Sequence, residues 1–240
     1  MGNTYDLKGK FSIVTGAAKG IGKAIAELLL QSGADVVIWD LNPANVAGAR
    51  SLVVDVTLPD SIRNGLAEFG SSQSIDILVN CAGYLGAITP FANHSSTEWR
   101  RIVDVNLLGT LQVTQAVLPT MLRQRSGRII NLGSLAGKEG LAGLAGYSAA
   151  SAGVLSFTKA LSREIAKDNV FVNCVAPGPI NTDMIQDLGA EIVARMVQDS
   201  PMGRLGTVDE VAQLVAWLCS EASRFNTGAV FDMSGGRARY

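Results

Sequence analysis

Short runs of apolar, mostly β-branched residues alternate with longer stretches of helical period along the chain. The runs predict strands over Phe11–Thr15, Asp35–Trp39, Ser51–Val54, Ile75–Asn80, Gly127–Leu132, Val170–Val175 and Ala229–Met233. Most are apolar at every position, not at alternate ones, which fits strands covered on both faces. Helical spacing predicts helices over Gly20–Gln31, Pro59–Glu68, Thr97–Gln124, Tyr147–Lys167 and Val208–Cys219, with a short one near Ala44–Ala49. Ser95-Ser96-Thr97-Glu98 reads as a capping box at the start of the longest of these, Ser95 facing Glu98. Such a strand–helix succession predicts an α/β fold, a doubly wound parallel sheet of about seven strands with helices on both faces. No Pro/Gly/Ser-rich linker interrupts it, so residues 1–240 read as one domain.

Composition narrows the class. Apolar residues make up 48% of the chain, ample for a core and too many for disorder. The net charge of −1, without a dense basic run, argues against a nucleic-acid partner. No apolar run approaches the ~20 residues that span a bilayer. The polar opening MGNTYDLKGK carries no signal sequence, so a cytoplasmic protein with no membrane partner is expected. Cys81, Cys174 and Cys219 lie far apart in apolar runs and read as buried, reduced thiols. No Cys/His spacing suggests a metal, and none is expected. His94, the only histidine, reads as a surface loop residue.

One segment changes the picture. Thr15-Gly16-Ala17-Ala18-Lys19-Gly20-Ile21-Gly22 follows the first strand and opens the first helix. Gly16, Gly20 and Gly22 permit a tight turn and a close backbone approach. The helix N-terminus behind them offers free N–H groups to a pyrophosphate. That context is the dinucleotide-binding unit of a Rossmann fold. Asp40 ends the second strand, where a carboxylate accepts hydrogen bonds from the adenosine ribose and repels a 2′-phosphate. Leu41, next to it, is not basic. NAD is therefore expected over NADP, although Lys19 would suit a 2′-phosphate.

Beyond the loop, an ordered series of segments over nearly the whole chain resembles the short-chain dehydrogenase/reductase family. Asp55-Val56 resembles the pair that contacts adenine. Asn80-Cys81-Ala82-Gly83 resembles the NNAG segment, with Cys in place of the second Asn. Asn106 lies where the family keeps an Asn in its long helix. Ser134 sits where the family's Ser ends the fifth strand, and Tyr147 follows thirteen residues on. Pro177-Gly178-Pro179-Ile180-Asn181-Thr182 resembles the PGxIxT segment at the nicotinamide end. Met202–Gly206 and Ser234–Gly236 match the C-terminal parts. The flavour is that of the 3-oxoacyl-carrier-protein reductase and sugar- or polyol-dehydrogenase branch.

The resemblance implies an NAD(P)-dependent oxidoreductase that interconverts a secondary alcohol and a ketone, with a small hydroxyacyl, sugar or polyol-type substrate. In it, Ser134 hydrogen-bonds the carbonyl oxygen, Tyr147 donates or accepts the proton, and Asn106 helps place a relay water. The cofactor-binding set it implies is Gly16, Lys19, Gly20, Ile21, Gly22, Asp40, Leu41, Asp55, Val56, Asn80, Ala82, Gly83, Tyr147, Ser151, Pro177, Gly178, Ile180 and Thr182. It also implies a substrate lid around 181–205, carrying Met184, Ile185, Leu188, Ile192 and Met196. A homotetramer follows as well, built on the two longest helices and on Gly228–Gly236.

The chain departs from the family at one position. The family keeps a lysine four residues after the Tyr; here that residue is Ser151. Free tyrosine titrates near pKa ~10, so a phenolate is scarce at neutral pH without a nearby cation. Lys159 lies about 18 Å further along the same helix, which excludes it. Lys138 follows Ser134 on an expected loop and reads as solvated. An active dehydrogenase is expected. The alternative is a silent nucleotide-binding member acting as a sensor or scaffold.

Overall fold

The computed structural model describes residues 5–70 and 73–240. Its strands are β1 (Phe11–Thr15), β2 (Asp35–Asp40), β3 (Arg50–Val53), β4 (Ile77–Asn80), β5 (Gly127–Leu132), β6 (Val170–Pro177) and β7 (Val230–Met233). They form one seven-stranded sheet in the order β3-β2-β1-β4-β5-β6-β7. Every neighbouring pair is parallel. The helices are α1 (Gly20–Gln31), α2 (Pro59–Ala67), α3 (Ser96–Val103), α4 (Thr110–Gln124), α5 (Leu135–Glu139), α6 (Ala145–Ile165), α7 (Asp183–Gln186), α8 (Ala190–Gln198) and α9 (Val208–Cys219). This is the Rossmann arrangement read from the sequence. The strand order reverses at β1/β4, which opens a crevice at the carboxyl ends of those strands.

The continuous apolar strands are explained by what covers them. Val14, Ile38, Val79, Ile130 and Val175 pack with Ile25, Leu29, Val211 and Val215 of α1 and α9. Their chain neighbours Ile13, Val37, Leu78 and Ile129, with Val172 three residues before Val175, point the other way, against Ile62, Val113, Val117, Met121 and Leu161 of α2, α4 and α6. Side chains alternate across each strand as the pleat requires, and both sides are core.

Four local expectations are corrected. The helix near Ala44–Ala49 does not form: the Ala44 N–H donates to Ser51 Oγ at 2.9 Å, and Gly48 takes φ +88°. The long helix is not uniform: a π-helical turn over Asp104–Gly109 separates α3 from α4. There the Asn106 amide Nδ2 donates to the Ile102 carbonyl at 2.7 Å, supplying by side chain the contact that the wider turn gives up. Ser95 does cap α3, accepting from Glu98 N–H at 3.1 Å. The Glu98 carboxylate, however, takes the Tyr84 hydroxyl at 2.6 Å instead of closing the box. A complete capping box stands at Thr207 and Glu210, ahead of α9. Lastly, Lys138 lies on α5, not on a loop. No helix among the described residues is long and apolar enough to cross a membrane.

Candidate active site

The crevice starts from the glycine loop. Gly16 holds φ +65°, and a Cβ built there would lie 2.5 Å from the Ala82 Cα. Only glycine lets the loop and the Cys81–Gly83 segment come this close. Thr15 Oγ1 fastens them together, accepting N–H bonds from Cys81 and Ala82, each at 3.0 Å. Lys19 is the N-cap of α1 but makes no side-chain cap, and the first turn carries no acidic residue. The positive end of that helix is therefore uncompensated, which fits a pyrophosphate. Ile21 and the tightly packed Gly22 continue the turn into the helix.

Asp40 sits beside this loop. Its Oδ2 accepts the Ala18 N–H and its Oδ1 the Asn42 N–H, both at 2.9 Å. Leu41 projects outward, exposed. Asp55 Oδ1 accepts from Thr57 N–H and Oγ1, shaping the turn into α2, and Val56 is buried against Gly109. The Asn80 side chain turns inward: Nδ2 donates to Thr114 Oγ1 and to Asn131 Oδ1, both at 2.9 Å. Asn131 in turn donates to Thr158 Oγ1 at 2.9 Å. This buried chain ties β4 and β5 to α4 and α6 beneath the crevice. Asn131 was readable in the sequence as a polar residue inside the apolar strand GRIINL, but it drew no role there.

The candidate catalytic groups meet at the same sheet edge. Ser134 follows β5 by two residues as the N-cap of α5, where its Oγ accepts Ala136 N–H at 3.1 Å. Tyr147 lies in the first turn of α6, half-buried. Burial pushes its phenol above the usual tyrosine value, hydrogen bonding with Ser134 and Ser151 opposes this, and the Cys81 thiol adds to the rise. Cys81 is itself pushed up to about 12, first by burial and then by the Asp40 charge. Ser151 is only 3% exposed. Asn106 uses its amide on backbone, donating to the Tyr84 carbonyl at 2.8 Å and accepting Tyr84 N–H at 3.1 Å. Tyr84 was not foreseen: its hydroxyl bonds Glu98, and Arg101 lies 4.3 Å from its ring centre.

Neither Lys138 nor Lys159 takes over the missing charge. Lys138 is not solvated; its Nζ pairs with Asp232 Oδ2 at 3.0 Å and its side chain is 10% exposed. Lys159 is exposed on α6. His94 is half-buried, and both its ring nitrogens are enclosed without a protein partner.

Pro177 ends β6, and Gly178 N–H donates to the Met233 carbonyl at 3.1 Å. Ile180 is buried, and Asn181 N–H bonds the Gly206 carbonyl at 2.8 Å. Thr182 reaches back over the glycine loop; its Cγ2 would lie 3.6 Å from a Cβ at Gly20. The segment thus bridges the loop and the stretch holding α7 and α8. Behind it lies a cavity of ≈ 360 Å³ lined by Ile180, Met202, Arg204, Asp232 and Ser234.

The family model described as enoyl-(acyl carrier protein) reductase matches residues 16–238. The chain is 41% identical over 243 residues to the 3-oxoacyl-[acyl-carrier-protein] reductase FabG of Aquifex aeolicus, covering 96% of this chain and 98% of that one. It is 37% identical over 240 residues to the 2-dehydro-3-deoxy-L-rhamnonate dehydrogenase (NAD(+)) of Sphingomonas sp., covering 97% and 96%. Among solved structures, the aldohexose dehydrogenase of Thermoplasma acidophilum superposes with a TM-score of 0.92 at 30% identity, covering 99% of this chain and 97% of that one. With the glycine loop, Ser134 and Tyr147 on one sheet edge and matches of this length, the chain belongs to the short-chain dehydrogenase/reductase family.

Proposed function

We propose that the protein is an NAD-preferring oxidoreductase that interconverts a secondary alcohol and a ketone of hydroxyacyl, sugar or polyol type. The observation that carries this reading is the convergence of Ser134 and Tyr147 beside the Gly16–Gly22 loop at one sheet edge. The bound nicotinamide cofactor supplies or takes the hydride. Gly16, Gly20, Gly22 and the α1 N-terminus hold its pyrophosphate, with Lys19 and Ile21 in the same turn. Asp40 accepts the ribose hydroxyls beside Leu41. Asp55 and Val56 shape the adenine end, and Asn80, Ala82 and Gly83 form the floor. Pro177, Gly178, Ile180 and Thr182 flank the reacting end, and Ser151 lies one turn beyond Tyr147. Ser134 donates a hydrogen bond from its hydroxyl to the substrate oxygen. Tyr147 exchanges the reacting proton with the same oxygen. Asn106 fixes the Tyr84 backbone and the π turn, and so helps place the relay water.

Residues 181–205 form the lid, with Met184 and Ile192 exposed on it. The oligomer is a homotetramer. Its support is the outer face of α6, where Ala145, Ala149, Ala152 and Ala160 are all exposed, next to an apolar groove of ≈ 330 Å³ under Phe91 and Trp99. The absent lysine favours a second reading, a nucleotide-binding protein without turnover. Absorbance of the reduced cofactor decides between them, with NAD or NADP and a panel of β-hydroxyacyl thioesters, sugars, polyols and their ketones. Turnover of a panel member supports the oxidoreductase. Tight nucleotide binding without turnover across the pH range supports the silent reading.

A further inference from the structure

We propose that Ser151 is the hydroxyl partner of the Tyr147 phenol, and that this uncharged pair sets the site for ketone reduction, with Tyr147 as a standing proton donor. The inference rests on the function proposed above and adds a positioning residue and a direction to it. Ser151 lies one helical turn beyond Tyr147, on the same face of α6. It is almost fully enclosed because α5 presses on it: a Cβ built at Gly137 would lie 2.8 Å from the Ser151 Cβ. The same short helix presents Ser134 at its N-cap. The phenol therefore shares its surroundings with two hydroxyls held by two packed helices, and both hydroxyls act to lower its pKa against the effect of burial.

The charged and titratable groups around it leave that pair uncharged. From β4, Cys81 is a protonated thiol at neutral pH, since its value stands at about 12. From α3, Glu98 is spent on the Tyr84 hydroxyl and Arg101 on the Tyr84 ring. From α5 and β7, Lys138 and Asp232 neutralise each other. Along α6, Lys159 and Arg163 are exposed and further on. In reduction, the Tyr147 O–H bond breaks as its proton passes to the substrate oxygen, while the carbonyl carbon gains the hydride that the reduced cofactor gives up. The Ser151 hydroxyl then donates a hydrogen bond to the phenolate until water returns the proton. In oxidation the phenolate must exist first, and none of these side chains supplies a positive charge to help form it.

The test has a readout that needs no turnover. Tyrosinate absorbance is titrated in the wild type and in Tyr147→Phe, Ser151→Ala and Ser151→Lys, each checked for native circular dichroism; subtracting Tyr147→Phe isolates the Tyr147 step. We expect that step above the ordinary tyrosine value of ~10 in the wild type, higher in Ser151→Ala, and lower in Ser151→Lys. In parallel, reduction should be nearly flat from about pH 6 to 9, while oxidation climbs about tenfold per pH unit without a plateau, as expected when a single base limits the rate. A wild-type Tyr147 step below about pH 9, or the same midpoint in wild type and Ser151→Ala, overturns the pairing. An oxidation plateau below about pH 8 overturns the reductive bias. The expected titration with no turnover of any ketone refutes the function above and supports the pairing.

Discussion

Replacing Asp40 by Asn isolates the charge at the ribose end while keeping the side chain's shape. A carboxylate offers about four lone-pair positions. The Ala18 and Asn42 N–H groups use one on each oxygen, both at 2.9 Å. About two positions are left, which is what the two hydroxyls of a ribose diol require. Asparagine keeps one acceptor oxygen and turns an NH2 toward the other backbone N–H, so the diol loses at least one acceptor. A hydrogen bond to a charged group contributes about 1.5–3 kcal/mol, and every 1.4 kcal/mol is about tenfold in affinity. NAD should therefore bind about 10- to 150-fold more weakly to Asp40→Asn. For NADP the sign reverses. Two like unit charges about 4 Å apart repel by about 4 kcal/mol at an effective dielectric of ~20, and that repulsion disappears. The ratio of NAD to NADP affinity should fall by more than about tenfold. Titration calorimetry with each nucleotide measures it. Thermal unfolding controls for the lost backbone contact, an unsatisfied N–H costing about 1–3 kcal/mol. An unchanged ratio in a folded variant, or tighter binding of NADP than NAD to the wild type, refutes the role given to Asp40.

Other consequences are as direct. Asn131→Ala removes the donor to Thr158 and the acceptor for Asn80 from a fully buried position; it should lower stability in urea by about 2–4 kcal/mol, and a loss under about 0.5 kcal/mol would show the network to be idle. Gly16→Ala places a Cβ 2.5 Å from the Ala82 Cα at φ +65°; nucleotide affinity should drop more than about tenfold by calorimetry, and wild-type affinity would refute the close-approach reading. Burial pushes the Cys174 and Cys219 thiols up to about 12, against ~8.5 in the unfolded chain. The folded state therefore holds more protons in that window, so stability is full below pH ~8.5 and falls as pH rises toward ~12. Urea unfolding at successive alkaline pH values should show that fall, and Cys174→Ala should make it shallower; an equal slope in the variant would refute the linkage.

The sheet was legible because each strand is covered twice. Residues such as Ile13 and Val14 both had to be apolar, for opposite layers. What escaped the sequence was decided by single side chains reaching across it. An alanine-rich stretch at 44–49 has helical propensity, yet one hydroxyl seven residues on takes the Ala44 amide. The π turn at Asp104–Gly109 hangs on polar contacts, the Asn106 amide gripping Ile102 and Tyr84, which an apolar period does not record. Glu98 had the spacing of a capping box and lost that role to Tyr84, fourteen residues back. Periodicity reports which face of an element is buried; it does not report such competitions.

The site divides along the same line. That Ser151 and Tyr147 share a helix face follows from their spacing alone. Whether a distant cation stands in for a lysine at 151 does not, since it depends on where every other lysine is spent. Lys159 is removed by its rise along α6, a matter of helix geometry. Lys138 is removed by Asp232, which lies 94 residues away in the chain and 3.0 Å away in space. Serving the phenol would break that pair and take Lys138 from a carboxylate that is held in place by the Ser234 hydroxyl, which it accepts at 2.7 Å. The ion pair therefore occupies its lysine, and on the function proposed above proton handling at Tyr147 falls to hydroxyl groups.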